Sequence, residues 1–386
     1  MFLSKNKVSD FCIIGAGVAG ISLASELTKR GASVCVIDNV DIAGGASGTP
    51  IALASAATGR YATKIWEAEA CYEVLLENLF AVQNDSLTPF YKISGVLKPA
   101  LDKEIASRMK TNVLSGQWEK GKIEWLDEKQ VKELNPYIAC IDGGVWLQNG
   151  ITVNMGAYLL HFSEFLKKKG VEFRIRESYK VFKGKSNWEI SFKNESIEAQ
   201  NVIYTTGVYT KNTPYWDYLP IVPVKGQLGV FSGSSPLPFN HAVSALGYVA
   251  SLDTADFVFG STFEHQFTDE DPDKKGVRYL TEHLKRILPE YSKHVVLQSM
   301  WAGTRASTPN RMPIIGEHPQ EKNMYVFTGL AAKGLLYSGY LAKLFTLFLL
   351  EQTPLPKEIS IERLDKKKKK RKRNRHSKND DSPNSG

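Results

Sequence analysis

Apolar and polar positions along this chain keep two rhythms, and the changes between them mark out its elements. Phe11-Cys12-Ile13-Ile14 is an apolar run too short for a helix and stopped by Gly15, which predicts a strand buried on both faces. Residues 21–30 carry helical spacing closed by Gly31. Ser33-Val34-Cys35-Val36-Ile37-Asp38 predicts a second buried strand ending on an acid, so the chain opens with a βαβ unit. A long helix is predicted over 61–80, and mixed short segments over 90–144 predict a separate lobe. Leu159, Leu160, Phe162, Phe165 and Leu166 set a helix over 155–169, ending at Gly170. Strands are predicted at 171–175, 188–192, 201–205, 222–231, within 248–260 and at 324–327, with a last helix over 339–351.

Composition adds bounds. Hydrophobic residues at 42% and charged residues at 23% are those of an ordinary globular protein. The longest apolar candidate, 341–350, is short of the ~20 residues of a membrane span and interrupted by Lys343 and Thr346. Residues 1–10 are polar and show no cleavable signal peptide, so a cytoplasmic protein is expected. Cys12, Cys35, Cys71 and Cys140 form no C-x-x-C pair and read as reduced thiols, those at 12 and 35 buried in strands. No His, Cys and carboxylate set has metal-ligand spacing, so no metal is expected. His161, on a predicted helix face, reads as packing or solvent-facing.

The net charge of +8 belongs to one end. Residues 365–386 hold ten of the 49 Lys and Arg and three of the 41 Asp and Glu, leaving a body of 39 basic and 38 acidic residues. Lys366-Lys367-Lys368-Lys369-Lys370-Arg371-Lys372-Arg373, with Arg375 and Lys378, predicts a disordered basic tail. Such a tail suits either solubility or the capture of a polyanion.

Candidate chemistry starts at Gly15-x-Gly17-x-x-Gly20. The first glycine permits a tight turn, the second lets backbone approach a pyrophosphate, and the third packs helix on strand. The amides of the helix start, at Val18 and Ala19, would face the phosphates. Asp38, eighteen residues past Gly20, stands where a carboxylate accepts hydrogen bonds from an adenosine ribose. NAD and FAD both fit this fingerprint. A second cluster, Gly44-Gly45-Ala46-Ser47-Gly48, suits further pyrophosphate contacts or a flexible loop.

From Ser9 to about Glu351 the sequence resembles the D-amino acid oxidase family of flavoenzymes, which includes glycine oxidase, sarcosine oxidase and D-amino acid dehydrogenase. Beyond the glycine fingerprint, the likeness rests on Val202-Ile203-Tyr204-Thr205-Thr206-Gly207 and Pro223-Val224-Lys225-Gly226-Gln227. It rests most specifically on Trp301-Ala302-Gly303-Thr304-Arg305 with Thr308-Pro309-Asn310-Arg311-Met312-Pro313-Ile314-Ile315-Gly316. Within the family it is most similar to the FAD oxidoreductase half of the bifunctional proteins that make 5-methylaminomethyl-2-thiouridine in tRNA. That likeness rests on Gly45-Ala46-Ser47-Gly48, Gly247-Tyr248-Val249, Gly260-Ser261-Thr262-Phe263 and Gly329-Leu330-Ala331-Ala332-Lys333-Gly334-Leu335. Lys333 stands where that subfamily tends to carry arginine and Asn154 where relatives often have proline, and no methyltransferase half accompanies the motifs.

The resemblance implies a glutathione-reductase-like, α/β FAD-binding Rossmann domain interleaved with an antiparallel-sheet substrate domain. FAD-binding parts are expected at 1–85, 151–220 and 299–364, substrate-lobe parts at 86–150 and 221–298, and the tail at 365–386. It implies non-covalent FAD held by the residues named above together with Thr206, Gly207, Gly303, Arg305, Gly329, Ala332, Lys333, Gly334 and Leu335. Arg305 is expected to grip a substrate carboxylate, Tyr248 to hydrogen-bond it, and Lys333 to lie near the pyrimidine end of the flavin, a substrate phosphate or solvent. The expected reaction is oxidation of a carbon–nitrogen bond beside a carboxylate. Its substrate is carboxymethylaminomethyl-uridine in tRNA or a free glycine, sarcosine or D-amino acid; an FAD-containing RNA-binding protein without turnover is the third reading. A separate methyltransferase partner is compatible with the first.

Overall fold

A computed structural model of the chain describes residues 8–115, 118–119, 121–251 and 255–364. The basic tail of the sequence therefore lies outside the described residues.

The apolar opening run forms β1 (Ser9–Ile14), followed by α1 (Val18–Lys29) and β2 (Val34–Asp38). Around them stand β6 (Glu172–Ile175), β7 (Lys180–Lys183), β8 (Trp188–Ser191), β9 (Ser196–Tyr204), β15 (Ile314–Glu317) and β16 (Met324–Thr328). The order β6-β2-β1-β9 is parallel throughout, β16 pairs parallel with β9, and β8, β7 and β15 run antiparallel at the margins. A parallel sheet needs cover on both faces, which is why β1 and β2 read as continuous apolar runs. One face is covered by α1, α2 (Ala68–Gln83), α4 (Met155–Lys168) and α6 (Gly334–Glu351), whose buried residues share a core with Ile13, Val36 and Ile203.

The second sheet holds β3 (Val96–Pro99), β4 (Ile123–Leu126), β5 (Gly144–Leu147), β10 (Val222–Gly233), β11 (Ala242–Ser244), β12 (Tyr248–Ser251), β13 (Asp256–Gly260) and β14 (Val295–Ser307). Its order is β14-β10-β13-β12-β11-β3-β5-β4, antiparallel except where β3 meets β11. The helices α3 (Lys103–Leu114) and α5 (Lys274–Ile287) pack on it. β14 carries residues 295–307 along one edge, and the chain returns to the first sheet at β15.

Three expectations are corrected. The helix predicted over 61–80 begins only at Ala68, because Ala62 and Glu67 take positive φ (52° and 49°) and Thr63–Lys64 pairs with Ala57–Thr58. The last helix begins at Gly334, five residues earlier than expected, directly after the turn at Gly329. Residues 331–351 are, by length and composition, apolar enough to cross a membrane; half of that stretch is buried, with Leu336, Tyr337, Leu341 and Phe345 in the core. Asn154, where proline was the family habit, N-caps α4 through its side chain, which accepts from the Ala157 amide at 3.1 Å.

The strand ends are locked by one threonine. The Thr205 hydroxyl donates to the carbonyls of Ile14 (3.0 Å) and Gly15 (2.9 Å), tying the end of β9 to the turn after β1. Thr205→Val leaves the Gly15 carbonyl without the Thr205 hydroxyl, while Ile14 keeps the Thr205 amide, and is expected to cost about 1–3 kcal/mol. Thermal denaturation of the purified flavoprotein would show a lowered Tm; an unshifted midpoint means the hydroxyl adds nothing to the junction.

Candidate active site

The turn after β1 can close only with glycine. Gly15 has φ +115°, and a Cβ there would lie 2.8 Å from the Thr205 carbonyl oxygen. A Cβ on Gly20 would lie 2.0 Å from the Gly15 carbonyl oxygen, so the third glycine sets how closely α1 approaches the turn. Asp38 holds the same turn from β2: one carboxylate oxygen accepts from the Ala16 amide at 2.8 Å, the other from Val40 at 2.8 Å. Ser47 Oγ accepts from the Val18 amide at 3.1 Å. Among the described residues no acceptor takes the next two amides, those of Ala19 and Gly20, and the helix start offers them with its positive dipole end.

These groups open on a cavity of about 1100 Å³. Its walls include Gly15, Gly17, Val18, Ala19, Asp38, Gly45, Ala46, Ser47, Thr206, Gly207, Gly329, Ala332, Gly334 and Leu335 from the expected set, with Tyr248 and Arg305 facing them from the second sheet. Gly20, Gly48 and Gly303 stand behind the wall. A Cβ on Gly48 would meet the Ala43 carbonyl oxygen at 2.5 Å, and one on Gly303 would meet Trp301 at 2.5 Å and the Ala46 Cα at 3.1 Å. Gly303 thus lets β14 approach the 46–48 turn. Thr206-Gly207 is held to the end of β16 by the Thr328 hydroxyl, which donates to the Gly207 carbonyl at 2.9 Å.

Arg305 is a half-buried cation in the wall of this cavity. Its guanidinium donates to Ser261 Oγ and, at 3.5 Å, to the Thr262 carbonyl, and lies 4.5 Å from the centre of the Phe263 ring. No carboxylate among the described residues pairs with it. Burial pulls its pKa below the usual guanidinium value while Tyr248 pulls it back; an arginine keeps its charge through such a shift. The space it occupies is made on the neighbouring strand. A Cβ on Gly226 of β10 would sit 2.0 Å from Arg305 Nη2, so the glycine of the 223–227 segment is the groove in which the guanidinium lies.

Tyr248 lines the cavity and donates its hydroxyl to the Ile51 carbonyl. Burial raises its pKa to about 12, against the lowering effects of Thr49 and Arg305, so it stays protonated at neutral pH. Lys333 was expected near the flavin, a substrate phosphate or solvent. It is not on the cavity wall; its ammonium donates to the Arg311 carbonyl at 2.9 Å and lies 4.6 Å from the centre of the Tyr337 ring. The intervening turn, with Ala331 at φ 49°, puts its neighbours Ala332 and Gly334 on the wall instead.

Sequence reasoning missed Thr304, whose buried hydroxyl finds no partner among the described residues although the residue lines the cavity. It also missed what holds 223–227: beyond Gly226, Lys225 is buried and paired with Asp273 (3.4 Å) and Asp269 (3.7 Å). Gln227 accepts from the Asp273 amide at 2.8 Å and donates to Glu264 at 3.0 Å. Away from Arg305 the cavity runs to Leu53, Arg60, Leu101, Ile105 and Met109.

Comparison with known proteins follows the same lines. The family model DAO, FAD dependent oxidoreductase, matches residues 10–347. The tRNA 5-methylaminomethyl-2-thiouridine biosynthesis bifunctional protein MnmC of Thiobacillus denitrificans is 24% identical over 366 residues, covering 91% of this chain and 58% of its own. The bifunctional protein ThiO/ThiG of a Nostoc species is 24% identical over 383 residues, covering 96% and 57%. The chain therefore spans somewhat more than half the length of these curated relatives. Among solved structures, glycine oxidase from Geobacillus kaustophilus superposes with a TM-score of 0.80 at 19% identity, over 90% of this chain and 95% of that one. Iminodiacetate oxidase from Chelativorans sp. BNC1 gives 0.74 at 21% identity, over 91% and 99%.

Two substitutions probe the guanidinium. Arg305→Ala is expected to raise the Michaelis constant for a carboxylate substrate by the equivalent of roughly 2–5 kcal/mol. Gly226→Ala, which leaves Arg305 in place but fills its groove, should raise it about tenfold, or ~1.4 kcal/mol. Steady-state assays read both, and an unchanged constant in Arg305→Ala takes that residue out of the role.

Proposed function

The chain belongs to the DAO family of FAD dependent oxidoreductases, and on that premise we propose that it oxidises the carbon–nitrogen bond of an amine carrying a carboxylate one carbon away. The observation that carries the proposal is Arg305, a half-buried guanidinium with no carboxylate partner among the described residues, set in the wall of the cavity that the glycine turn opens. A planar guanidinium can hold a carboxylate through two parallel hydrogen bonds, which fixes orientation as well as charge.

The cavity suits FAD in three respects. The turn at Gly15 and Gly20 leaves no room for side chains, the amides of Ala19 and Gly20 are without acceptors among the described residues, and Thr304 brings a buried hydroxyl with no partner there. Asp38, Ser47, Thr206 and the 329–335 turn would complete its contacts. Bound FAD supplies the acceptor for the two electrons removed from the substrate.

The chain's own residues do the positioning. Ser261, the Thr262 carbonyl and the Phe263 ring hold the Arg305 guanidinium flat in the groove over Gly226, so a carboxylate meets a donor pair already in place. Tyr248, protonated and beside it, can add a donor by releasing Ile51. Such placement accounts for much of the rate gain in reactions of this class. Water then hydrolyses the oxidised bond.

Within this class we assign the substrate as carboxymethylaminomethyl-uridine in tRNA, with aminomethyl-uridine and glyoxylate as products. Two facts support that choice over a free amino acid. The relatives named MnmC are tRNA-modification proteins by name, and the sequence carries a run of eight consecutive Lys and Arg at 366–373. A polyanion gives such a run a partner, and free glycine does not.

Anaerobic absorbance of the bound flavin tests the assignment after mixing with undermethylated tRNA and, separately, with glycine, sarcosine and D-alanine. Bleaching by the tRNA is the expected result. Bleaching by a free amino acid with the tRNA inert would replace the substrate while keeping the reaction, and no bleaching by any of them would remove both.

A further inference from the structure

Without its basic tail the chain is close to neutral, yet one helix is not. Helix α5 carries Lys274, Lys275, Arg278, Lys285 and Arg286 against a single acid, Glu282. Helix α3, with three basic residues and one acid, comes next among the described helices, and α2 has three glutamates and no basic residue. At about 100° per residue the five cations of α5 fall within an arc of about 120°. Leu280, Leu284 and Ile287 fill the opposite arc and pack on the second sheet.

Little on the protein neutralises that ridge. Glu282 takes Arg278 at 2.8 Å, and Lys274, Lys275, Lys285 and Arg286 have no carboxylate in ion-pair range among the described residues. Acids of the preceding segment are engaged elsewhere. Asp269 and Asp273 face Lys225, Asp273 also caps the helix at the Gly276 amide, and Glu270 accepts the Tyr209 hydroxyl. Asp271 is exposed at that end, and Glu290, past the other, pairs with Lys293 at 2.7 Å.

Exposed lysines alone would be an ordinary solvated face; the position of this one sets it apart. Tyr279, at the border of the ridge, lines the cavity while 37% exposed, so it stands at the mouth. Its ring is braced by His283, centroids 3.8 Å apart. Phe263, 63% exposed, lines the same cavity with its ring 4.5 Å from the Arg305 guanidinium. Gln227 holds the two together. Its side chain accepts from the Asp273 amide at 2.8 Å and donates to Glu264 at 3.0 Å, and its backbone amide donates to Thr262 Oγ1 at 2.9 Å. The start of α5 and the segment that carries Phe263 are thus fixed to one residue, beside the carboxylate grip.

We propose that α5 and this aromatic rim form a docking surface for single-stranded RNA. Phosphates lie along Lys274, Lys275, Lys285 and Arg286, a ridge about 21 Å long, and bases stack on Tyr279 and Phe263. The inference rests on the tRNA reading above and gives that reading a place on the folded chain. A uridine inside a duplex cannot reach a cavity, so the substrate nucleotide belongs to an unpaired stretch, whose bases are free to stack on aromatic rings. The ridge offers charge and flat rings without aliphatic side chains to enter a bilayer, which favours RNA over a lipid surface.

The test is binding of undermethylated tRNA to the full, flavin-loaded chain, followed by fluorescence anisotropy across a salt series. Lys274→Gln, Lys275→Gln, Lys285→Gln and Arg286→Gln combined should weaken binding at least about tenfold at about 0.1 M salt. The slope of log K against log salt should fall by about 2–3, at roughly 0.7 per phosphate contact. A control with the same charge change, Lys167→Gln, Lys168→Gln, Lys169→Gln and Lys193→Gln, should bind within about twofold of wild type. Tyr279→Leu keeps the charge and should weaken binding about tenfold with the slope unchanged. Every chain carries the same tail, and equal flavin content and Tm show that each variant is folded. A ridge variant that binds like wild type, or loses no more than the control, overturns the surface and leaves the tRNA substrate to the bleaching measurement. Unchanged binding by Tyr279→Leu overturns the stacking. Loss of binding to vesicles of anionic phospholipid with tRNA binding intact also overturns the proposal, in favour of a membrane. A tRNA that docks through the ridge yet leaves the flavin oxidised fails the substrate reading while the surface stands, and a wild type that binds no tRNA removes both.

Discussion

The closeness of backbone to backbone at the end of β1 is the constraint from which the remaining geometry follows. With Gly15 at positive φ and Gly20 pressed on its carbonyl, α1 begins where the parallel sheet ends, and its first amides are delivered to the cavity. Thr205 and Asp38 fix that junction from the strands on either side, one by donating to carbonyls and the other by accepting amides. A side chain at either glycine would separate helix from sheet and with it displace the floor on which the second sheet's residues act.

The opposite wall is governed by a similar vacancy. Arg305 lies in the groove that Gly226 on the adjacent strand leaves by having no Cβ, and with no carboxylate partner among the described residues it is held by Ser261, Thr262 and Phe263, which satisfy part of what water would have supplied. The residual demand for an anion is what the cavity can offer a ligand. Two buried lysines show the same economy from both sides: Lys225 is neutralised by aspartates and holds structure, while Lys98 of β3 is left with the Ser244 hydroxyl.

How much of this was legible depended on whether a feature was local. The glycine spacing and the apolar runs of β1 and β2 are local, and they gave the βαβ opening and the turn that faces the cavity. Arg305 was reached by resemblance. Gly226 matters only through its partner on another strand, and no spacing in the sequence exposes such a pair. The helix expected over 61–80 failed because Tyr61 and Ile65 match a helical period while Ala62 and Glu67 adopt left-handed backbone. Helix α5 had its signal in Leu280, Leu284 and Ile287, with Asp273 capping the Gly276 amide at 2.7 Å, and went unread. For Lys333 the sequence placed the turn but not the direction of the side chain, which the backbone around Ala331 decides.

The cavity's far end, where Leu53, Arg60, Leu101, Ile105 and Met109 form the wall, is built from segments outside the long β10–β14 ladder. The carboxylate grip belongs to that ladder, whose two strands stay paired along 12 positions, so it cannot be altered without disturbing a sheet. The far end can be altered one side chain at a time. A lineage built on this scaffold could therefore exchange a bulky substrate for a small one, or the reverse, by changing α3 and its approaches while inheriting the grip intact. Divergence in diet would precede divergence in chemistry.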